Sequence, residues 1–378
     1  MRVLLFSDLH GHAFKSYATM TPEGRNSRLQ HTINIVEEIR AVAVAQECSG
    51  VLFGGDLFHI RPGVGSMRIP TFNALFDAIA RLKISLDFVG LLVGNHDQGD
   101  RAGNEHSIYA FRSIVTVMDT PGWYEFVDNE DEMLQVLALP AHPDKGYLVN
   151  AVNEGVEERP LGEDGIPRVL LGHLGIDGAV VGTNFVLRDE HNLSVKDLRP
   201  DQFDEVFLGD YHQPQKLAKN VRYIGATHHH NWGDANSERG CLVWDTKTTS
   251  VTKIDLHSAP KFVSIPLHIL EENANPPDVQ GNYVRITHEK PLTVEKMERW
   301  KGLLKVSGCL NEPEFWLDPK AKAQFGREDT AKEFHPTMDY EEMISTYVNK
   351  EIPDSLDEEY LHSVGIEIMS KAMEEYEG

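Results

Sequence analysis

Five short motifs constrain this chain more than any other feature of its 378 residues: Asp8-Leu9-His10, Gly54-Gly55-Asp56, Gly94-Asn95-His96-Asp97, Gly172-His173 and Gly209-Asp210-Tyr211-His212. Each follows a short apolar run that reads as a buried strand: Val3 to Ser7, Val51 to Phe53, Phe88 to Val93, Arg168 to Leu171 and Val206 to Leu208. Helical periods separate the first three. Ile33, Val36, Ile39 and Val42 mark a helix over Arg28 to Glu47, and Phe72, Leu75, Phe76 and Ile79 mark one over Pro70 to Leu82. Trp123 to Val127 and Leu134 to Leu139 supply two further strands. Strand and helix in alternation predict a layered α/β fold. In such folds ligand sites gather beyond the carboxyl ends of the strands, where glycine permits sharp turns, so five such ends can meet in one pocket.

The residue types in these loops point to metal chemistry. Carboxylate, amide and imidazole ligands without thiolates suit Mn, Mg, Fe or Zn, and more are present than one octahedral ion needs. Two ions sharing one carboxylate make the economical arrangement, and such pairs activate water and neutralise charge on an attacked phosphoryl group. Taken singly, Asp8 and Asp56 read equally as helix caps, Asn95 as a turn residue, and His173 and His212 as satisfied core histidines. It is their recurrence at five strand ends that favours ligands. Asp97 is expected to orient His96 or to cap the following turn. The run His228-His229-His230 is expected to border the site, because adjacent side chains of an extended segment face opposite ways and cannot all reach one ion. His12, His31, His106 and His142 lack comparable neighbours, and Lys15, Arg25 and Arg28 are either phosphate contacts or ordinary solvated charges.

In this order, and with Gly55-Asp56-Leu57-Phe58-His59 followed by Arg61-Pro62, the series resembles the calcineurin-like metallophosphoesterases, and more closely their Mre11/SbcD nuclease branch of phage or bacterial type, over residues 1–255. The resemblance implies a metallophosphoesterase β-sandwich flanked by helices. It implies that Asp8, His10, Asp56 and His212 hold one divalent ion and that Asp56, Asn95, His173 and Asp210 hold a second, with Asp56 bridging. His96 matches the family histidine that contacts the phosphate and assists the leaving oxygen, and His59 matches a second active-site histidine of the nuclease branch. The chain departs from the family at one position, where Gly-Asp-x-His replaces the usual Gly-His-x-His. Asp210 makes that site harder, so two Mn2+ ions are expected, with Mg2+ as the alternative and Zn disfavoured.

The texture changes after the fifth motif. Residues 1–258 are assigned to the phosphoesterase domain. Residues 259–317 are assigned to a small α/β capping domain, with strands at Phe262 to Ile269, Tyr283 to Ile286 and Glu314 to Leu317 and a helix at Thr293 to Val306. Residues 318–338 carry Pro319 and Pro336 among charged residues and read as a linker. Residues 339–378 read as helical, with Leu361, Val364, Ile368 and Ala372 on one stripe. In the resembled branch such a tail docks on a Rad50/SbcC-like ATPase, and a homodimer is compatible with the same reading. The net charge of −23 opposes a generalised basic grip on polyanions, and a partner ATPase would then supply much of the DNA-binding surface.

Cys48, Cys241 and Cys309 form no Cys-x-x-Cys pair, which suits a reducing compartment. No apolar stretch approaches the roughly 20 residues of a membrane span, and the short run Val3 to Phe6 is no signal peptide. A cytoplasmic protein, of a bacterium or of a phage in its host, is expected. The function expected from the resemblance is metal-dependent cleavage of DNA phosphodiesters, exonucleolytic with endonucleolytic cleavage as an extension, in recombination, repair or replication. Two competitors stand beside it: a phosphodiesterase or phosphatase for small molecules or phosphoproteins, and a non-catalytic binding subunit.

Overall fold

The computed structural model describes residues 1–61, 68–99, 105–160, 165–181, 185–186, 192–272 and 279–317. The linker expected at 318–338 and the helical tail expected at 339–378 therefore lie outside the described residues.

Two six-stranded sheets face each other. The first contains β1 (Arg2–Phe6), β2 (Gly50–Phe53), β3 (Phe88–Leu92), β4 (Thr116–Met118), β13 (Cys241–Asp245) and β14 (Ser250–Ile254), in the order β14-β13-β1-β2-β3-β4. β1 to β4 run parallel, whereas β13 returns antiparallel to β1, with Leu4 opposite Val243. The second contains β5 (Gly122–Val127), β6 (Met133–Leu139), β7 (Arg168–His173), β10 (Glu205–Gly209), β11 (Gln215–Ala218) and β12 (Val221–Tyr223), in the order β11-β12-β10-β7-β6-β5. A two-stranded ribbon, β8 (Val180–Val181) with β9 (Phe185–Val186), lies between β7 and β10 in sequence.

The strands are apolar at consecutive positions because both of their faces are covered. On β1, Val3 and Leu5 point into the space between the sheets, where they join Leu52, Leu92, Phe126, Val136, Leu171 and Phe207. Leu4 and Phe6 point outward, against α1 (Ser27–Ala45) and α2 (Ile69–Ile84). The outer face of the second sheet is covered by α3 (Lys145–Glu158) through Leu148, Val152 and Val156. The result is helix, sheet, sheet, helix: the expected sandwich flanked by helices. Asn26 starts α1 by accepting from the Leu29 N–H at 3.1 Å, and Pro70 sits in the first turn of α2, where its missing N–H costs nothing.

Residues 262–317 build a smaller unit with its own core. β15 (Phe262–Pro266), β16 (Tyr283–His288) and β17 (Glu314–Leu317) form a parallel sheet backed by α4 (Leu267–Glu272) and α5 (Val294–Val306), packed around Ile265, Leu270, Val284, Ile286, Trp300 and Leu304. The single strand expected from Phe262 to Ile269 is instead β15 followed by α4. Pairing with β16 ends at Pro266, and turning the next residues into a helix brings Leu270 into the core.

The seam between the two units is aromatic. Phe262 and Tyr283 of the small sheet, with Phe14 of the first loop, surround the guanidinium of Arg28 at 5.0 to 5.6 Å from the ring centroids. Arg28 is 6% exposed, donates to the backbone oxygens of Ser16 (3.2 Å) and His230 (2.7 Å), and has no carboxylate within ion-pair distance among the described residues. Of the two readings open to Arg28, neither holds: it is a buried cation caged by rings, neither a phosphate contact nor a solvated charge.

Candidate metal centre

The five motifs end β1, β2 and β3, parallel in the first sheet, and β7 and β10, parallel in the second; the His173 bond to the Gly54 carbonyl and the Asp210 bond to Asp8 bring both sets of ends to one edge of the sandwich. Gly209 of β10 is in register with His173 of β7, which sets the fourth and fifth motifs side by side. The loops approach closely there, both within the first sheet and between the two sheets. A Cβ on Gly94 would stand 2.1 Å from Asp56 Oδ1, and one on Gly209 would stand 2.2 Å from the Gly54 carbonyl oxygen, so neither position accepts a larger residue without displacing the cluster.

The loops are held in strained form. Asp8, His10, Asp56 and Asp210 all have positive φ, between 46° and 95°, a region that a side chain disfavours. Each such residue costs about 1–3 kcal/mol, so four in one cluster point to function at this edge.

Asp56 stands at the centre. Its Oδ1 accepts from the His96 N–H at 2.8 Å and lies 3.4 Å from His173 Nε2, while its Oδ2 lies 3.6 Å from His10 Nε2. Burial disfavours its charge, but the facing His173 imidazole and the His96 N–H outweigh burial and hold its pKa down. His173 gives its Nδ1 hydrogen to the Gly54 carbonyl at 2.8 Å, which turns Nε2 toward Asp56 and, at 3.8 Å, Asp210 Oδ1. Burial lowers the pKa of His173, yet Asp56, Asp8 and Asp210 raise it well above the ordinary value. Asp8 is fully buried. Its Oδ1 accepts from the Asp210 N–H at 3.2 Å, and burial raises its pKa. Burial likewise pushes Asp210 up to about 6, against the pull of His173 and with added repulsion from Asp56 and Asp8.

The imidazoles form the opposite wall. His10 Nε2 and His212 Nε2 are 3.1 Å apart, and the His10 ring lies edge-on to His59 and His96 at 5.5 and 4.8 Å. His59 stacks on His96 at 5.7 Å, and the His96 Nδ1 hydrogen goes to the His59 carbonyl at 2.7 Å. Burial and the neighbouring His96 and His12 push His59 down to about 4. The His212 side chain, 31% exposed, and that of Asp210, 24% exposed, lie on the open side of the cluster, whereas Asp8, His10, Asp56 and His173 line its floor.

These groups fit divalent cations. Asp8 Oδ2, Asn95 Oδ1 and His173 Nε2 are buried and have no hydrogen-bond partner, an expensive condition for polar atoms that an ion relieves. Asp8, His10 and Asp56 offer ligand atoms within 4.8 Å of one another, as do His10, His59 and His96. All nine residues singled out in the sequence, Asp8, His10, Asp56, His59, Asn95, His96, His173, Asp210 and His212, thus lie on the loops of this edge. Asn95, between Gly94 and His96 on the third loop, has its side-chain oxygen buried without a hydrogen-bond partner.

Three further residues take part: Asp97, whose role differs from the one expected, Asp234, which carried no signal, and His230, from the histidine run expected to border the site. Asp97 neither orients His96 nor caps the following turn; its buried carboxylate accepts from the N–H groups of Asp56 (3.0 Å), Leu57 (3.2 Å), Phe58 (3.1 Å) and Gly94 (3.1 Å), tying the second motif to the third. Asp234 lies 3.5 Å from His212 Nδ1, pairs with Arg239 at 2.5 Å, and holds the His230 N–H at 2.7 Å. His230 itself packs against His10 and His212, at 5.0 and 5.1 Å between ring centroids. The three neighbouring histidines do face different ways: His228 meets Thr227, His229 bonds the Ser237 carbonyl and the Phe262 N–H, and His230 faces the cluster.

Residues 1–253 match the model of the Calcineurin-like phosphoesterases, and the chain belongs to that family. Among solved structures, a dimetal phosphatase from Danio rerio is similar over 64% of this chain and 91% of its own, at 10% identity and a TM-score of 0.38. Yfce, a phosphoesterase from E. coli, is similar over 68% of this chain and 100% of its own, at 11% identity and a TM-score of 0.30. No curated protein matches the chain. No helix among the described residues is long and apolar enough to cross a membrane.

Proposed function

We propose that this calcineurin-like phosphoesterase is a two-metal DNA nuclease of the Mre11/SbcD kind, with Asp8, His10, Asp56 and His212 at one ion and Asp56, Asn95, His173 and Asp210 at the other. Mn2+ is the expected ion, with Mg2+ as its substitute. Bound there, divalent ions supply an activated water and neutralise charge on the phosphoryl group.

The chain's own residues do the rest. His173 has its tautomer fixed by the Gly54 carbonyl, so that Nε2 faces the carboxylates. His96 has Nδ1–H engaged by the His59 carbonyl, so Nε2 is left to contact the phosphate; in the imidazolium form Nε2–H protonates the leaving oxygen and the ring is left neutral with its hydrogen on Nδ1.

The observation that favours a phosphodiester is the stacked pair of His59 and His96 beside His10. A phosphodiester bears one negative charge where a phosphomonoester bears up to two. A neutral His59 in the second motif suits the former better than the fixed guanidinium that protein phosphatases carry after theirs. The small parallel sheet, which meets the histidine run through the Phe262 N–H and His229 Nδ1 at 3.0 Å, supports a polymeric substrate, and the segment 339–378 is proposed to dock on a Rad50/SbcC-like ATPase.

The test is degradation of end-labelled single- and double-stranded DNA with Mn2+, comparing wild type with His96→Ala and using nitrophenyl phosphodiester and phosphomonoester controls. DNA cleavage lost in the variant supports the proposal. Hydrolysis of the small esters with DNA left intact, even with the ATPase added, would sink it.

A further inference from the structure

His230 is 5% exposed and stands among the proposed ligands without belonging to any of the five motifs. Its backbone is fixed from both sides: its N–H goes to Asp234 Oδ2 at 2.7 Å and its carbonyl accepts from Arg28 at 2.7 Å. Its Nε2 lies 3.0 Å from the Asp8 carbonyl oxygen, and its Nδ1 is buried with no hydrogen-bond partner. One ligand atom each from His10, His212 and His230 lies within 4.8 Å of the other two, and all three rings are about equally spaced, at 5.0, 5.0 and 5.1 Å.

We propose that His230 is a third imidazole of the metal centre, serving the ion position of His10 and His212. The inference rests on the two-metal reading and divides its two positions chemically. With Asp8 and Asp56 beside them, His10, His212 and His230 give the first position three imidazoles, so it accepts Zn more readily than the second, where Asp56, Asn95 and Asp210 outnumber His173 and the preference for Mn or Mg is stronger. A carboxylate at 210 and an imidazole at 230 are then two halves of one arrangement: the chain weights one ion toward nitrogen and the other toward oxygen.

The alternative role for His230 is purely structural, as donor to the Asp8 carbonyl. His230→Gln separates the two roles, because the Gln amide keeps a donor of similar reach and removes the ring nitrogen. The experiment is metal analysis after equilibrium dialysis of the full chain, together with Zn and Mn titrations, for wild type, His230→Gln, His229→Gln and Asp56→Ala. Circular dichroism and melting of the metal-free proteins establish that each variant is folded.

The expected result is that His230→Gln weakens one Zn position by about tenfold or more, on the scale known for residues that hold or orient ligands, while Mn binding stays within about threefold of wild type. His229→Gln should bind both ions as wild type does. Unchanged Zn binding in His230→Gln would overturn the assignment and leave the two-metal centre standing. A wild type that binds fewer than two ions, or whose ion count is unaffected by Asp56→Ala, would overturn both together, through Asp56 rather than His230.

Discussion

The same parallel strands end in opposite ways at the two edges of the sandwich. At their amino ends, charged groups find partners: the Met1 amine meets Glu132 at 2.5 Å and Thr246 at 3.1 Å, Ser49 donates to Asp128 at 2.9 Å, Arg168 donates to Gln135 at 2.9 Å, and Arg222 grips Glu205 through bonds of 2.9 to 3.1 Å. At their carboxyl ends, Asp8, His10, Asp56 and Asp210 gather in left-handed backbone, and Asp8 Oδ2, Asn95 Oδ1 and His173 Nε2 are buried without hydrogen bonds. One edge is built for stability and the other is left poised for something the chain does not itself contain. The separation explains how a fold of this kind can tolerate a strained, charged cluster: the other edge offsets it.

The sharpest way to break this contrast is Asp56→Ala. Hydrolysis should fall by roughly 10³-fold or more, the scale on which removal of one member of a catalytic unit acts. The metal-free protein should melt at or above the wild-type temperature, because a buried carboxylate has gone; a large drop in melting temperature would show that the strained edge also holds the fold. The mirror experiment is Glu205→Ala, which strands Arg222 at the amino edge. It should cost about 3 kcal/mol in denaturant unfolding and leave metal binding unchanged.

Asp97→Asn tests the connection between strain and function, since the amide cannot accept from four N–H groups as the carboxylate does. Unfolding should become easier by about 1–3 kcal/mol, and metal affinity should fall roughly 10–100-fold; loss of stability with full affinity would demote Asp97 to a structural tie.

The smallest effect belongs to neither edge. Burial, aided by Arg28, pushes His31 down to about 4 from its ordinary 6.5, so it stays neutral in the folded chain where the unfolded chain takes a proton. Its contribution is therefore intact above about 6.5 and lost as pH falls from 6.5 toward 4, and His31→Gln should flatten that part of the stability profile. A profile of unchanged slope would show that other groups govern acid sensitivity.

Much of the strained edge was legible in the sequence because its signals are local: a short apolar run, a glycine, then a ligand-type residue, five times over. What was not legible depends on contacts between distant segments. Asp234 reaches His212 across 22 residues of chain, and Asp97 reads as a turn residue until the Asp56 loop is brought onto it by the pairing of β2 with β3. The β13–β14 hairpin completes the first sheet beside β1, nearly the whole phosphoesterase unit away, a pairing that no periodicity within either segment encodes. Helix α3 is a different case. Leu148, Val152 and Val156 recur at every fourth position after the capping Asp144, but the helix lies behind the second sheet and is followed by a strand only after Pro160 and Pro167, with no motif of its own.

The caged guanidinium of Arg28 gives the seam between the phosphoesterase unit and the small sheet an unusual response to solvent. Surface ion pairs fade as electrolyte is added, because mobile ions compete for each partner. Ring faces and backbone carbonyls that enclose a cation away from water offer no such opening. The two units should therefore stay joined in concentrated salt, under conditions that strip a charged polymer from the exterior of the same molecule.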